Sequence, residues 1–198
     1  MPSRAITRRS TVAGFAAANV APIYVDSDDN LLKIIPAGTG STEQIVAQLG
    51  GIAPVDASAA TLTVTADAHA GRTINLNRAA GVTATLPAAT GTGNVYTFVV
   101  QATVTSNNDI IKVANGTDFM VGTAFFDGDD AANAANGFTT ANTGTVATES
   151  DTITMNGTTT GGIKGALVTV RDIATAIFQV QMFSAASGTE ATPFSATV

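Results

Sequence analysis

The stretch VTATLPAATGTGNVYTFVVQ, residues 82–101, sets the fold class of this chain. Its first part alternates apolar and polar residues up to Leu86, and its last part is a longer apolar run that contains Tyr96 and Phe98. Alternation with a period of two is typical of a strand with one buried face. The Gly-Thr-Gly-Asn segment between the two parts has the composition of a turn. The stretch therefore predicts two strands joined by a turn.

Similar segments recur along the chain. They lie at residues 61–65, 73–77, 109–113, 119–126, 152–155, 164–171 and 174–183. Short strands at a spacing of roughly 8–12 residues, separated by Gly and Asn turns, are typical of an antiparallel sandwich or barrel. We expect an all-β fold: an antiparallel β-sandwich or barrel-like domain, with an N-terminal extended arm and a hairpin.

The first 56 residues predict a different organisation. Residues 1–21 read as a basic and then Ala-rich arm, and residues 22–36 read as a β-hairpin around an Asp-rich turn. Residues 42–49 predict a short helix, because Ser41 and Gln44 have the spacing of a capping box. We expect residues 1–56 to form this N-terminal part, and residues 52–60 to be a linker.

Residues 57–198 are expected to form the main β domain. Within them, residues 127–148 are rich in Asp, Asn, Gly and Thr and lack apolar periodicity, which predicts a long surface loop. The residues from Ser184 to Val198 read as a C-terminal arm. Most of the phenylalanines fall between Phe98 and Phe183, where the core is expected, so we interpret them as core residues.

Composition excludes several functional classes. The chain has 198 residues, is 12% charged and 45% hydrophobic, and contains no Cys. A disordered chain is typically charge-rich and apolar-poor, so a folded protein is expected. Without Cys there is no disulfide, thiolate metal site or cysteine nucleophile. No run approaches the roughly 20 apolar residues of a membrane helix, so we expect no membrane span.

Charge is distributed unevenly along the chain. The net charge is −6, which disfavours nucleic acid as a partner. Arg4, Arg8 and Arg9 are three of the nine basic residues, so residues 10–198 carry six basic and 15 acidic groups, a balance of −9. A basic end on an acidic body indicates that this end docks onto an acidic partner. The alternative is a solvated chain terminus.

The same basic segment has a second interpretation. Arg8 and Arg9, followed by an Ala-rich apolar stretch, are similar to a twin-arginine signal peptide with cleavage near Ala21. That reading predicts an exported bacterial surface protein.

We find no set of residues in the sequence that predicts catalysis. His69 is the single histidine, and it lies in an expected turn without a Gly-x-Ser-x-Gly sequence elsewhere. Residues 26–30 begin like a calcium loop, but Leu31 stands where that loop needs Gly, and Ala37 where it needs Glu. Residues 127–130 are better explained as the start of a loop than as a cation site. We expect no enzyme activity, no cofactor and no metal.

Three segments together resemble surface proteins of tailed-phage heads and tails. The residues that carry the resemblance are at 72–77, 80–88 and 93–100, where a V-T-x-T-L-P strand leads through a Gly-rich turn into a Y-x-F strand; residues 115–119 and 153–162 are similar in character. The resemblance covers roughly residues 60–183.

The resemblance implies a capsid decoration protein. Such a protein would bind the major capsid protein on the outer capsid surface of the virion, self-associate as a homotrimer and stabilise the head, without nucleic acid or membrane. We expect Arg4, Arg8, Arg9 and Phe15 to make the capsid or subunit contacts. The alternatives are a phage fibre or receptor-binding module that grips a host glycan, with residues 127–148 as its site, and the exported surface protein.

Overall fold

The computed structural model describes residues 23–25, 31–34, 44–48, 53–129 and 135–198. The chain divides into two compact units, Met1–Ala53 and Pro54–Val198. The domain boundary predicted from the sequence, between residues 56 and 57, lies three residues later in the chain. No helix in the described residues is long and apolar enough to cross a membrane.

The described part of the first unit is a three-stranded antiparallel sheet. Its strands are β1 (Ile23–Val25), β2 (Leu31–Ile34) and β3 (Gln44–Gln48). The pairing of β1 with β2 confirms the predicted hairpin. The predicted helix over residues 42–49 is wrong, because this segment pairs with β2 as β3. Its Ile-Val pair favours strand over helix, and a helix this short gains little stability by itself.

The described residues of the second unit form twelve strands and two short helical turns. In chain order these elements are β4 (Val55–Ala57), β5 (Thr61–Thr63), α1 (Ala66–His69), β6 (Thr73–Leu76), β7 (Thr83–Thr85), β8 (Val95–Val100), β9 (Asp109–Lys112), β10 (Phe119–Asp127), β11 (Ala135–Thr139), a 3₁₀ turn (Val146–Thr148), β12 (Thr152–Met155), β13 (Leu167–Ala174), β14 (Ile177–Ala185) and β15 (Phe194–Ser195). Each segment predicted from period-two alternation contains a strand, which confirms the all-β prediction.

These strands form two open sheets. One has seven strands in the order β11-β10-β14-β13-β8-β6-β4, and the other has five in the order β15-β12-β9-β7-β5. Buried side chains of both sheets belong to one hydrophobic core, among them Leu76 and Phe98 from the first sheet and Ile111 and Ile153 from the second. Neither sheet closes on itself, so the described strands form no barrel.

The sheets are mixed, and the prediction of purely antiparallel pairing is wrong. The pairs β4–β6, β6–β8, β5–β7, β7–β9 and β10–β14 are parallel. From β4 to β9 the chain alternates between the seven-stranded and the five-stranded sheet. Each turn therefore leads into the other sheet, and the next strand of the original sheet runs in the original direction. From β4 to β9 the predicted turns are present, but they connect strands of different sheets, whereas β13 and β14 form a hairpin within one sheet.

Three segments predicted to lack regular structure contain strands. The expected linker at residues 52–60 contains β4, which pairs with β6 at the sheet edge. The expected loop at residues 127–148 contains β11 and the 3₁₀ turn. The expected C-terminal arm ends in β15, which pairs with β12. These elements are short, so their sequences show little periodicity.

Candidate functional site

The outer face of the seven-stranded sheet is the face that points away from the core. Along β14, Phe178, Val180 and Met182 are buried, whereas the alternate residues Gln179 and Gln181 are exposed. β10 and β13 show the same alternation. Their outward side chains therefore form one continuous surface across the sheet.

Three large apolar side chains lie next to one another on this outer face. Phe125 of β10 is in register with Phe183 of β14, and Phe183 is in register with Leu167 of β13. Their side chains are 47%, 53% and 37% exposed, in that order. The two phenylalanine rings stack with centroids 5.9 Å apart and planes 18° from parallel. We call Phe125, Phe183 and Leu167 the apolar row.

A glycine at the edge strand shapes one end of the apolar row. Gly137 of β11 is opposite Phe125 in the antiparallel ladder. A Cβ atom at residue 137 would lie 3.4 Å from the Phe125 ring, so the ring rests close over the glycine backbone. An aromatic ring over an edge-strand glycine shields backbone that has no side chain of its own. At the other end of the row, half-buried Val99 of β8 is opposite Leu167.

A depression lies beside the apolar row. It has a volume of about 360 Å³ and is lined by Phe125, Phe126, Asp127, Ala135, Gly165, Phe183, Ser184 and Ala185. Asp127 supplies the one ionisable group of this lining. The Ser184 hydroxyl donates to the carbonyl oxygen of Ala185 at 2.7 Å, so it is already paired. The depression is therefore mainly apolar, with one carboxylate at its margin.

Elsewhere the outer face mixes polar and apolar side chains, among them Ile173, which is 45% exposed, and it carries few charges on β8, β10, β13 and β14. Next to the apolar row, in register across five strands, lie Thr139, Thr123, Gln181, Thr169 and Thr97. Among the outward residues of β8, β10, β13 and β14, Asp127 and Arg171 are the charged ones. These two charges are opposite in sign and lie toward opposite ends of the strands. The face therefore has no net charge on those strands.

The interpretation of the phenylalanines as core was right for Phe98, Phe126 and Phe178, which are buried. It was wrong for Phe125 and Phe183. A signal for the error was present: neighbours such as Phe125 and Phe126 point to opposite faces of a strand. When one face of a strand packs in the core, only one of two consecutive phenylalanines can be buried there.

His69 has a structural role in the described fold. It lies in α1 and is buried, where the sequence predicted a turn. Its Nδ1 accepts a hydrogen bond from the backbone N–H of Thr65 at 3.0 Å. The Thr65 hydroxyl in turn accepts from the N–H of Ala68 and caps the helix. His69 therefore fixes the start of this single helical turn.

Asp172 is a buried anion held by one turn. Its carboxylate accepts backbone hydrogen bonds from Thr90, Gly91 and Thr92 and a further bond from the Thr92 hydroxyl at 2.7 Å. Burial by itself raises the pKa of Asp172, but these hydrogen bonds outweigh burial and hold the pKa below its ordinary value. The carboxylate thus ties β13 to the turn that precedes β8.

Asp109 is buried with far fewer partners. Its Oδ1 accepts from the N–H of Val82 at 2.8 Å, and its Oδ2 has no hydrogen-bond partner in the described residues. Burial raises the pKa of Asp109 to about 6, and the Val82 bond offsets only part of that effect. Asp109 lies in β9 of the five-stranded sheet and Asp172 in β13 of the seven-stranded sheet, and each accepts hydrogen bonds from a different backbone segment.

The structure brings no metal site together in the part of the chain that it describes, where no cluster of three or more His, Asp or Glu side chains occurs. Asp129 is instead a structural acceptor for the N–H of Gly188 at 3.0 Å. Residues 26–30 and Asp130, considered above as parts of cation loops, lie outside the described residues, as do the expected contact residues Arg4, Arg8, Arg9 and Phe15.

Comparison with known proteins leaves the apolar row as the main clue to function. No protein-family model matches the chain, and no curated protein matches it.

Proposed function

We propose that this chain is a non-enzymatic structural subunit of a larger assembly, and specifically a decoration protein on the outer capsid surface of a tailed phage. The apolar row carries the proposal. Phe125, Phe183 and Leu167 are exposed side by side on a face that the described residues of the second unit leave uncovered. A contiguous apolar patch of this kind is typical of a surface that another protein covers.

The composition of the outer face supports the same function. Interface centres are depleted in charge and enriched in aromatic residues. The strands β8, β10, β13 and β14 meet both conditions, with outward charges at Asp127 and Arg171 alone. The proposed arrangement of the second unit is a β-sandwich whose two sheets enclose the shared core.

The proposed mechanism is mechanical. Homotrimers would bind the major capsid protein and bridge neighbouring capsomers, which adds contact area at the seams that packaged DNA stresses. Several modest contacts made by one oligomer act together, so attachment is much tighter than any single contact. The proposal needs no cofactor, and the net charge of −6 makes the packaged DNA an unfavourable partner.

The capsid contact is proposed to involve the basic N-terminal segment, with Arg4, Arg8, Arg9 and Phe15. Co-sedimentation with capsids of the encoding phage tests this. Deletion of residues 1–21 should abolish co-sedimentation and leave the thermal unfolding of the β domain unchanged. Replacing the three arginines with lysine is the matched control, because it keeps the charge. Undiminished capsid binding by the deletion variant would contradict the proposal.

A second candidate function is glycan binding by a fibre or receptor-binding module. The stacked pair of Phe125 and Phe183 next to the carboxylate of Asp127 favours it. Aromatic faces stack on sugar rings, and carboxylates accept hydrogen bonds from sugar hydroxyls. A glycan array with the intact chain and with Phe183→Ala tests it: binding that the variant loses supports this function, and absence of binding eliminates it.

A further inference from the structure

The intact chain is acidic, and this restricts how two copies can meet. A net charge of −6 on each copy produces repulsion unless the contact surfaces are low in charge. The outer face is such a surface, because its charges on β8, β10, β13 and β14 are one Asp and one Arg. Since Asp127 and Arg171 lie toward opposite ends of their strands, the face is also complementary to itself in charge.

The size of the outer face suits a subunit contact. The five neighbouring strands β11, β10, β14, β13 and β8 contain five to nine residues each. At about 4.8 Å between strands and about 3.3 Å per residue, they cover roughly 600 Å² in projection. Side-chain relief increases the accessible area above that projection. A stable interface buries about 800 Å² on each partner, which is of the same order.

The relief of the outer face offers both a projection and a recess. The Phe125–Phe183 pair stands out from the sheet, and the depression of about 360 Å³ lies directly beside it. An aromatic side chain of a facing copy would enter an apolar recess there and lose its contact with water. Buried aromatic anchors near the centre of an interface contribute most of its binding energy.

We propose that a second copy of this chain covers the apolar row, so that Phe125, Phe183 and Leu167 form the centre of the contact between subunits. Because the same face meets on both copies, the contact relates two copies by a twofold axis, so it is a dimer contact distinct from the contacts within the homotrimer of the proposed function. It is independent of capsid binding, because the contact forms between free copies.

The test is the molar mass of the purified full-length chain, measured by light scattering across a dilution series without capsids. The wild type should have a multiple of the 19.8 kDa monomer mass. The variant with both Phe125→Ser and Phe183→Ser should have half the wild-type mass. Val146→Ser is the matched control: Val146 is 45% exposed but lies in the 3₁₀ turn, so this variant should keep the wild-type mass.

A second variant keeps the test decisive if the double serine variant does not fold. Gln181→Glu places a like charge on each copy next to the row, at an exposed position that contributes nothing to the core. It should raise the concentration needed for association at least tenfold, and added salt should restore part of the loss. A monomeric wild type, or oligomers that both variants retain, would overturn the proposal, whatever the result with capsids.

Discussion

The inner and outer faces of β10 differ sharply, although their residues alternate along one strand of nine residues. On the inner face Met120, Ala124 and Phe126 are almost completely buried, whereas on the outer face Phe125 is 47% exposed. Two consecutive phenylalanines therefore have different surroundings. The inner ring packs in the core, whereas the outer ring contacts Gly137 and Phe183 and still keeps about half of its surface exposed. The exposed half of the outer ring is the part of this strand that the proposed contact with another copy would cover.

The largest expected effect is a loss of protein stability when a residue of the inner face is substituted. Phe126 packs in the core with its ring 5.4 Å from that of Phe138, so Phe126→Ala should lower the free energy of unfolding by about 3–5 kcal/mol. Phe125→Ala should cost less than about 1 kcal/mol, the usual size of one cross-strand pair. Urea unfolding at low protein concentration measures both. Equal losses would show that the two faces do not differ as described.

The next largest effect is the pH dependence of stability that the buried carboxyl group of Asp109 causes. Because its pKa is raised to about 6 in the folded state, folding favours the protonated form. Its contribution to stability is thus greatest below pH 4 and is lost as pH rises through about 6. Asp109→Asn removes that loss and should stabilise the protein by up to about 3 kcal/mol at pH 8. The difference between variant and wild type should vanish near pH 4. Unfolding curves at both pH values measure it, and a variant less stable than wild type at pH 8 would contradict this account.

Asp172 should respond in the opposite direction. Its folded-state pKa is lowered, so its contribution is present above the pKa of the unfolded chain and is lost as pH falls through the folded-state value. Asp172→Asn should cost about 2 kcal/mol at pH 7, because an amide directs two donors at a turn that supplies only donors. The penalty should shrink in acid. Thermal unfolding between pH 2 and 7 measures it, with Asp109→Asn as the contrasting variant.

Much of the fold was predictable from the sequence, because alternation shows in residues such as those of β6, β7 and β8. The assignment of strands to sheets was not. Turn residues mark a reversal of the chain, but they do not specify whether the next strand joins the same sheet or the other one. Short elements such as β4 and β11 are too brief to show a period. β3 was mistaken for a helix because five residues satisfy both patterns.

Only part of the candidate site could be predicted from the sequence. The parity of Phe125 and Phe126 shows that one ring faces outward. It does not show that Phe183 is the neighbour of the outward ring, because the parallel pairing of β10 with β14 sets that contact. The low charge of the outward residues of β8, β10, β13 and β14 likewise becomes visible only when these strands are placed side by side.

Cross-linking of a single cysteine variant tests most directly whether a second copy covers the outer face. The chain has no native Cys, so Gln181→Cys introduces one thiol next to the apolar row. A bismaleimide that spans about 10 Å, the spacing of packed sheets, should join two such subunits in high yield. Val146→Cys should cross-link only at the level of random collision. Equal, low yields from both variants would contradict the account.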